Sequence, residues 1–154
     1  MSDRILLATR KGLFRLLRTD HRWQIESPSF LGVPAMVTEC DPRTGTIYAG
    51  VGHGHFGPKV HRSTDGGVTF EEVETPRFDE ADGASVKSIW ALATDPRHER
   101  GLWLGTVPGA LFHSTDGGGS WQLVRSLWDD PSREKWFGGG TDELVEFDIE
   151  FPSN

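Results

Sequence analysis

The sequence STDGGVTF at residues 63–70 returns as STDGGGSW at residues 114–121. Most positions in both copies are small, polar or glycine, which is the composition of a turn with a fixed backbone geometry. Asp65 and Asp116 are 51 positions apart in the sequence. A motif that recurs at such a distance indicates a structural unit that the chain uses more than once.

The similarity extends to the segments on either side of the two turns. VTECDPRTGTIYAGV (37–51) matches ALATDPRHERGLWLGTV (91–107), and each reads as a strand, an Asp-Pro turn and a second strand. Matching third and fourth strands follow in KVHRS (59–63) with ALFHS (110–114), and in FEEVE (70–74) with WQLVR (121–125). One unit is therefore four short strands separated by Gly and Pro breakers.

An incomplete unit precedes these two. ILLATR (5–10), GLFRLLR (12–18) and WQIE (23–26) fit the second, third and fourth strands, and VEFDIEFP (145–152) is a candidate for the missing first strand. Repeated four-stranded antiparallel units around a centre make a propeller, so the sequence predicts one all-β, propeller-like domain over residues 1–154. The predicted blades are blade 1 at about 5–28 plus 144–152, blade 2 at about 35–75 and blade 3 at about 88–126.

The repeated turn resembles the Asp-box, or BNR repeat, of sialidases and other propellers. The matching residues are Ser63, Asp65, Gly67, Thr69 and Phe70 in the first copy, and Ser114, Asp116, Gly118, Ser120 and Trp121 in the second. TRKGLFRL (9–16) and HFGPKVHRS (55–63) look like a bacterial group described as sialidase-like or glycosyl-hydrolase-like. The resemblance implies that the turn joins the third and fourth strands.

The residue types in the turn favour a structural role for its aspartate. An Asp at a turn can accept hydrogen bonds from backbone N–H groups two residues further on, and glycine permits a positive φ. The final aromatic residue is expected to anchor the hairpin in the core. The aspartates of the two turns are therefore not predicted to be catalytic or to bind metal.

Composition and charge argue against several classes of protein. The formal net charge of −7 and the absence of a basic run argue against a nucleic-acid partner. Cys40 is the single cysteine, which rules out an intrachain disulfide. Neither a signal-like segment nor an apolar run of membrane-spanning length occurs in the sequence, so we expect a soluble, cytoplasmic protein without a membrane partner.

One face of the predicted propeller carries the longest connectors, and long loops on a rigid scaffold are where function is usually found. Strand alternation places this face opposite the repeated turns. The candidate ligand face consists of Arg10, Lys11, His53, His55, Asp79, Asp82, Asp129, Asp130, Arg133 and Trp136. Its aromatic residues Trp128, Trp136 and Phe137 fit either a platform for a glycan or peptide, or buried loop anchors.

The sequence predicts no sialidase activity. By resemblance to the sialidases, such activity would require a Phe-Arg-Ile-Pro stretch, three substrate-binding arginines and a tyrosine nucleophile. Arg4-Ile5 is followed by Leu6, and the single tyrosine, Tyr48, aligns with Trp103 in a strand, as expected for a core or interstrand residue. Other glycoside hydrolases need only two facing carboxylates, so no catalytic residue is assigned and enzymatic activity stays open.

The spacing of the histidines gives no metal site and no cofactor site. His53 and His55 lie two residues apart with His61 nearby, but the Gly-His-Gly-His-Phe-Gly spelling indicates a loop and supplies no recognised third ligand.

The predicted function is a binding or scaffold module. The alternative is a glycosidase-like hydrolase that uses acidic residues of the ligand face, with Glu80 and Glu143 as further candidates.

Three blades do not close a ring, since propellers typically have four to eight. One resolution is a homodimer with six blades, in which VEFDIEFP of one chain completes blade 1 of the other. The other is a shortened relative of a longer propeller, whose last strand folds back or stays exposed. The continuous repeat frame across the junction of the two ends favours the dimer.

Overall fold

The computed structural model describes residues 3–136, in which the β-strands form three antiparallel sheets. The first sheet contains β1 (Arg4–Thr9), β2 (Gly12–Thr19) and β3 (Arg22–Ile25). The second contains β4 (Ala35–Cys40), β5 (Ile47–His53), β6 (Gly57–Ser63) and β7 (Glu71–Val73). The third contains β8 (Ser88–Asp95), β9 (Gly101–Val107), β10 (Ala110–Ser114) and β11 (Gln122–Leu123). We call these sheets blade 1, blade 2 and blade 3.

The all-β fold class is confirmed. In every blade the strands pair in chain order, so each blade is an up-and-down meander. Blades 2 and 3 have four strands, whereas blade 1 has three among the described residues, because β1 pairs with β2 and has no strand on its other edge there. The strand predicted at 145–152, and with it the completion of blade 1 and the extent of the domain to residue 154, lies outside the described residues.

The three blades stack face to face with an apolar layer at each junction. Leu13 of blade 1 packs with Ala35, Ala49 and Val51 of blade 2. Between blades 2 and 3, the layer contains Tyr48, Val60, Ile89, Leu92, Leu102 and Leu104. Blade 2 is covered on both faces, which is why Ile47–Val51 of β5 is buried at every position rather than at alternate ones.

Blades 2 and 3 repeat the same irregularity as well as the same strands. The pairing of β4 with β5 shifts register between Ala35 and Val37, and that of β8 with β9 shifts between Ile89 and Ala91. A bulge bends its strand and is a specific feature rather than a defect. Its presence at matching positions shows that the repeat extends to the backbone.

Arginines join each blade to the next through backbone carbonyls. Arg15 Nη1 donates to the carbonyl oxygen of Gly66 at 3.1 Å, and Arg62 Nη1 donates to that of Gly117 at 3.4 Å. Arg15 and Arg62 occupy the same position in the third strands of blades 1 and 2, and both acceptors lie in the repeated turns. The repeated turns of blades 2 and 3 are therefore each held by the preceding blade.

Short helices occur before and after blade 3, and the sequence did not predict them. The helix α1 (Arg125–Trp128) begins where the predicted strand at 121–125 was expected to end, and 3-10 helices occupy Glu80–Asp82 and Pro131–Lys135. Trp128 is buried against Phe112 of β10, so α1 closes one end of the core. None of the helices within residues 3–136 has the length and apolar character needed to cross a membrane.

Candidate functional site

The first repeated turn (63–70) closes the β6–β7 hairpin with a hydrogen-bond network of its own. Ser63 Oγ donates to Asp65 Oδ1 at 2.7 Å and accepts from the backbone N–H of Gly67 at 2.8 Å. Asp65 also accepts from the backbone N–H groups of Val68 and Thr69 at 2.9 and 3.0 Å, and from Thr69 Oγ1 at 2.6 Å. The hydrogen bond from the Thr69 side chain, together with the other donors, holds the pKa of Asp65 well below its usual range.

The second repeated turn (114–121) closes the β10–β11 hairpin in the same way. Ser114 Oγ donates to Asp116 Oδ1 at 2.8 Å and accepts from the N–H of Gly118 at 2.9 Å. Ser120 donates to Asp116 from its N–H at 2.9 Å and from its hydroxyl at 2.7 Å. Burial raises the pKa of Asp116, but the hydrogen bonds from Ser120 and Ser114 outweigh it and lower the pKa to about 2.

The donors to these aspartates differ from those that the sequence analysis expected. The amides that reach Asp65 belong to residues three and four positions further on, not two. Gly66 and Gly67, with φ of 77° and 87°, curl the chain so that these later amides point back at the carboxylate. Both aspartates are engaged by the turns that contain them.

A cleft of about 430 Å³ lies on the opposite face, between the β5–β6 hairpin and the connector from β7 to β8. Its lining combines apolar and polar side chains from Phe56, Pro58, Lys59, Thr75, Pro76, Arg77, Phe78, Ala84, Ser85 and Val86. Phe56 at the hairpin is 74% exposed, and its ring contacts that of His53 edge-on at 5.6 Å between centroids. The volume is within the usual range for small-molecule sites.

The floor and one wall of this cleft are anchored in blade 3. The ring of Phe78 packs on Phe112 at 5.3 Å and on Trp128 at 4.6 Å between centroids. Arg125 of α1 binds the connector through Asp79 at 2.8 Å and Asp82 at 2.5 Å. The connector that carries Arg77 and Phe78 is thus held on both sides.

Four of the predicted ligand-face residues are engaged in the structure of the loops themselves. Asp79 and Asp82 are bridged by Arg125, whose hydrogen bond lowers the pKa of Asp82. Asp130 accepts from the N–H of Ser132 at 2.7 Å, and the hydrogen bonds from Ser132 lower the pKa of this carboxyl. Arg133 donates to the carbonyl oxygen of Trp128 at 2.7 Å, and its guanidinium lies 3.7 Å from the centroid of the Trp128 ring.

The remaining six predicted residues are exposed: Arg10, Lys11, His53, His55, Asp129 and Trp136. None of the ten predicted residues lines the cleft, although His53 and His55 share a hairpin with Phe56, and Asp79 and Asp82 share a connector with Phe78. The predicted residues therefore lie on the loops that build the cleft, whereas other residues of the same loops line it. The signal for the cleft that the sequence offered was Phe56, an aromatic residue between Gly54 and Gly57 at the tip of a hairpin.

Tyr48 is a core residue. It is 5% exposed, pairs across the strands with Arg62 and belongs to the apolar layer between blades 2 and 3. Burial raises the pKa of its phenol, which disfavours the phenolate that nucleophilic attack would require.

A cluster that the sequence analysis did not consider lies at the Asp-Pro turn of blade 3. Asp95 Oδ2 lies 2.9 Å from His98 Nδ1 and 3.0 Å from His113 Nε2. The three ligand atoms lie within 4.8 Å of one another, and the Asp95 side chain is fully buried. The sequence had drawn attention to His53, His55 and His61, which form no comparable cluster in the described part of the chain.

No family model matches this chain. The xyloglucanase Xgh74A of Acetivibrio thermocellus is 36% identical over 114 residues, which cover 70% of this chain and 13% of that enzyme. The chain therefore spans only about an eighth of the length of this relative. The likeness supports a glycosyl-hydrolase-like propeller segment.

Solved structures show the same fold. The crystal structure of the GH74 xyloglucanase from Xanthomonas campestris matches 73% of this chain and 18% of its own, with a TM-score of 0.56 and 19% identity. YCF48 from Cyanidioschyzon merolae matches 79% of this chain and 35% of its own, with a TM-score of 0.52 and 17% identity. These neighbours are β-propellers, so the propeller-like architecture predicted from the repeats is confirmed.

Proposed function

We propose that this chain is a propeller module that binds a glycan in the cleft between the β5–β6 hairpin and the β7–β8 connector. The main support is the exposed ring of Phe56 beside the polar side chains of Lys59 and Arg77 in a cleft of ligand size. The apolar C–H faces of a sugar ring pack on aromatic rings, and its hydroxyls bond to polar groups. The likeness to a xyloglucanase segment makes xyloglucan the first glycan to test.

We assign the two repeated turns to the Asp-box (BNR) repeats as part of this proposal. Three observations support the assignment: the residue pattern, the matching networks around Asp65 and Asp116, and the position of both turns between the third and fourth strands. The assignment concerns the fold of the turns and implies no sialidase chemistry.

Two carboxylates of the ligand face, Asp82 and Asp130, are unsuited to the role of the general acid. A glycosidase needs one carboxyl group that keeps its proton near neutral pH, so the pKa of that group must be raised. Asp82 and Asp130 have lowered pKa values instead, because Arg125 and Ser132 bond to their charged forms. The glycosidase-like alternative is retained because the curated relative is a xyloglucanase.

Replacing Phe56 with alanine is expected to weaken the binding of xyloglucan oligosaccharides by roughly five- to tenfold, because a stacked aromatic ring contributes about 1–1.5 kcal/mol at such a site. Isothermal titration calorimetry on the purified chain measures this affinity. The side chain is exposed, so the folded state should tolerate its removal.

Leu31 provides the matched control, since it is 73% exposed and lies outside the cleft lining. The Leu31→Ala variant should bind like the unmodified chain. Equal affinity of the two variants, or no binding by the unmodified chain across a glycan array, would contradict the proposal. Release of reducing ends from xyloglucan in a parallel assay would support the hydrolase instead.

We also propose that two chains assemble into a six-bladed ring. Within residues 3–136, β1 pairs only with β2, and Ile5 and Leu7, on the face of β1 turned away from blade 2, are 43% and 49% exposed. Blade 3 carries the equivalents of the residues with which blade 2 faces blade 3. Trp103 stands where blade 2 has Tyr48, and Arg97, which is 72% exposed, stands where blade 2 has Arg43. The exposed face of blade 1 and the exposed face of blade 3 therefore complement each other. In a dimer, the second copy of the chain supplies the partner face to each.

Sedimentation equilibrium tests the assembly. We expect the mass of two chains, and a monomer when the chain is shortened at Glu143, because the segment 145–152 would then be missing. A well-folded monomer of the full chain would contradict the dimer. A dimer that persists after the shortening would show that this segment is not the clasp.

A further inference from the structure

We propose that Asp95, His98 and His113 form a binding site for a divalent first-row transition metal ion, with Zn²⁺ as the probe. Asp95 Oδ2 faces His98 Nδ1 at 2.9 Å and His113 Nε2 at 3.0 Å, and the three atoms lie within 4.8 Å of one another. Zinc bonds of 2.0–2.2 Å place tetrahedral ligand atoms about 3.4 Å apart. Small shifts of the side chains would therefore admit the ion.

The site is held in place before any ion binds. The Asp95 carboxylate is fully buried, and its Oδ1 accepts from the backbone N–H of Arg97 at 2.9 Å, which leaves Oδ2 directed at the histidines. The ring of His113 stacks on that of Trp103, with 3.9 Å between centroids and 23° between planes. Ligands whose orientation is fixed in this way lose little freedom when they bind a metal.

The protonation chemistry of the site is compatible with a metal. A neutral imidazole carries one N–H and one lone pair, and either nitrogen can hold the proton. Because an ionised carboxylate can only accept, the ring nitrogens that face Asp95 donate to it when no metal is bound. When the proton moves to the other ring nitrogen, the same two nitrogens present lone pairs, so both histidines can become ligands while staying neutral.

Comparison with blade 2 shows that the fold does not require these histidines. Asp41 stands at the position of Asp95, and its carboxylate is paired with Arg43, at 2.9 Å from Nε and 3.0 Å from Nη2, as that of Asp95 is with Arg97. Thr44 and Arg62 stand where blade 3 has His98 and His113. The repeat thus needs the aspartate, and blade 3 adds two nitrogen ligands to it.

Neighbouring residues bring the histidines close to the carboxylate. A side chain at Gly101 would place its Cβ 2.7 Å from Asp95 Cβ and 2.8 Å from His98 Cβ, so glycine is required for this close approach. Arg43 of blade 2 donates to the carbonyl oxygens of Asp95 and His98 at 3.0 and 2.8 Å. Three protein ligands leave a fourth coordination position for water or another small ligand.

Isothermal titration of the full-length, untagged chain with Zn²⁺ tests the site. We expect one Zn²⁺ per chain, and affinity at least tenfold lower in His98→Ala, whose half-exposed ring can be removed without opening the core. Because His113 is more buried, its ring is replaced by His113→Gln, which keeps a donor for Asp95, with the same expected loss. The control is His53→Ala/His55→Ala, which removes two exposed histidines of the β5–β6 hairpin and should bind Zn²⁺ like the unmodified chain.

Visible absorption of Co²⁺ in the same chain gives an independent readout. We expect the intense bands of a four-coordinate ion in the unmodified chain and their loss in His98→Ala. Zn²⁺ should also raise the melting temperature of the unmodified chain but not of that variant. Absence of stoichiometric Zn²⁺ binding, or binding by His98→Ala equal to that of the unmodified chain, would overturn the proposal.

Discussion

Replacing Phe112 with alanine is expected to lower the free energy of unfolding by about 3–5 kcal/mol, as for other fully buried aromatic residues. Phe112 is 1% exposed and lies where β10, α1 and the β7–β8 connector meet, in contact with Phe78 and Trp128. Its loss removes the support beneath the cleft. Chemical denaturation monitored by tryptophan fluorescence measures the change.

The control for this variant is Leu111→Ala on the opposite face of β10. Leu111 is only half-buried, so its truncation should cost less than half as much as that of Phe112. Similar losses in the two variants would contradict the placement of Phe112 beneath the connector. Weakened glycan binding by Phe112→Ala in its folded state is expected as well, since Phe78 lines the cleft.

Replacing Asp116 with alanine is expected to lower the free energy of unfolding by about 2–3 kcal/mol, because the charged acceptor of several hydrogen bonds is lost. Ser114 Oγ is buried and would lose its acceptor, and the N–H and hydroxyl of Ser120 would lose theirs. The measurement is again chemical denaturation, with Asp65→Ala in the first repeated turn as the matched variant. A loss below about 0.5 kcal/mol for both variants would contradict the role of these networks.

The dependence of stability on acid pH distinguishes what the charge of Asp116 contributes from what its position as a hydrogen-bond acceptor contributes. Its pKa is about 2 in the folded protein and lies near 3.8 otherwise, so its charge stabilises the fold above pH 4, and that stabilisation is lost as the pH falls toward 2. Asp116→Asn keeps an acceptor oxygen but has no charge. This variant should therefore lose less stability than the unmodified chain between pH 4 and pH 2.

Much of the fold could be predicted because the same pattern of strands and turns occurs twice in the sequence, in blades 2 and 3. The predicted third strand at 59–63 falls within β6 (Gly57–Ser63), and the predicted strand at 110–114 coincides with β10. The fourth strands are shorter than predicted, since β11 ends at Leu123 and α1 begins two residues later. A four-residue helix that depends on the burial of Trp128 leaves no periodic pattern in a sequence.

The cleft and the histidine cluster could not be predicted to the same degree, because both depend on contacts between distant segments. Phe56 and Arg77 line the same cleft from two different segments, the β5–β6 hairpin and the β7–β8 connector. His98 and His113 are 15 positions apart in the sequence, and the Asp-Pro turn and the pairing of β9 with β10 bring both to Asp95 Oδ2. Charged residues in the long loops were predicted to form the ligand face, yet Asp79 and Asp82 hold the connector against Arg125.

The central claim is that blades 2 and 3 are equivalent units closed by equivalent turns. Amide hydrogen exchange followed by NMR tests it most directly, at the N–H groups of Gly67 and Gly118, which donate to the buried Ser63 and Ser114 hydroxyls. The account predicts that both amides exchange only through global unfolding, far more slowly than that of Gly54 in the exposed β5–β6 hairpin tip. Exchange of either one at the rate of Gly54 would contradict it.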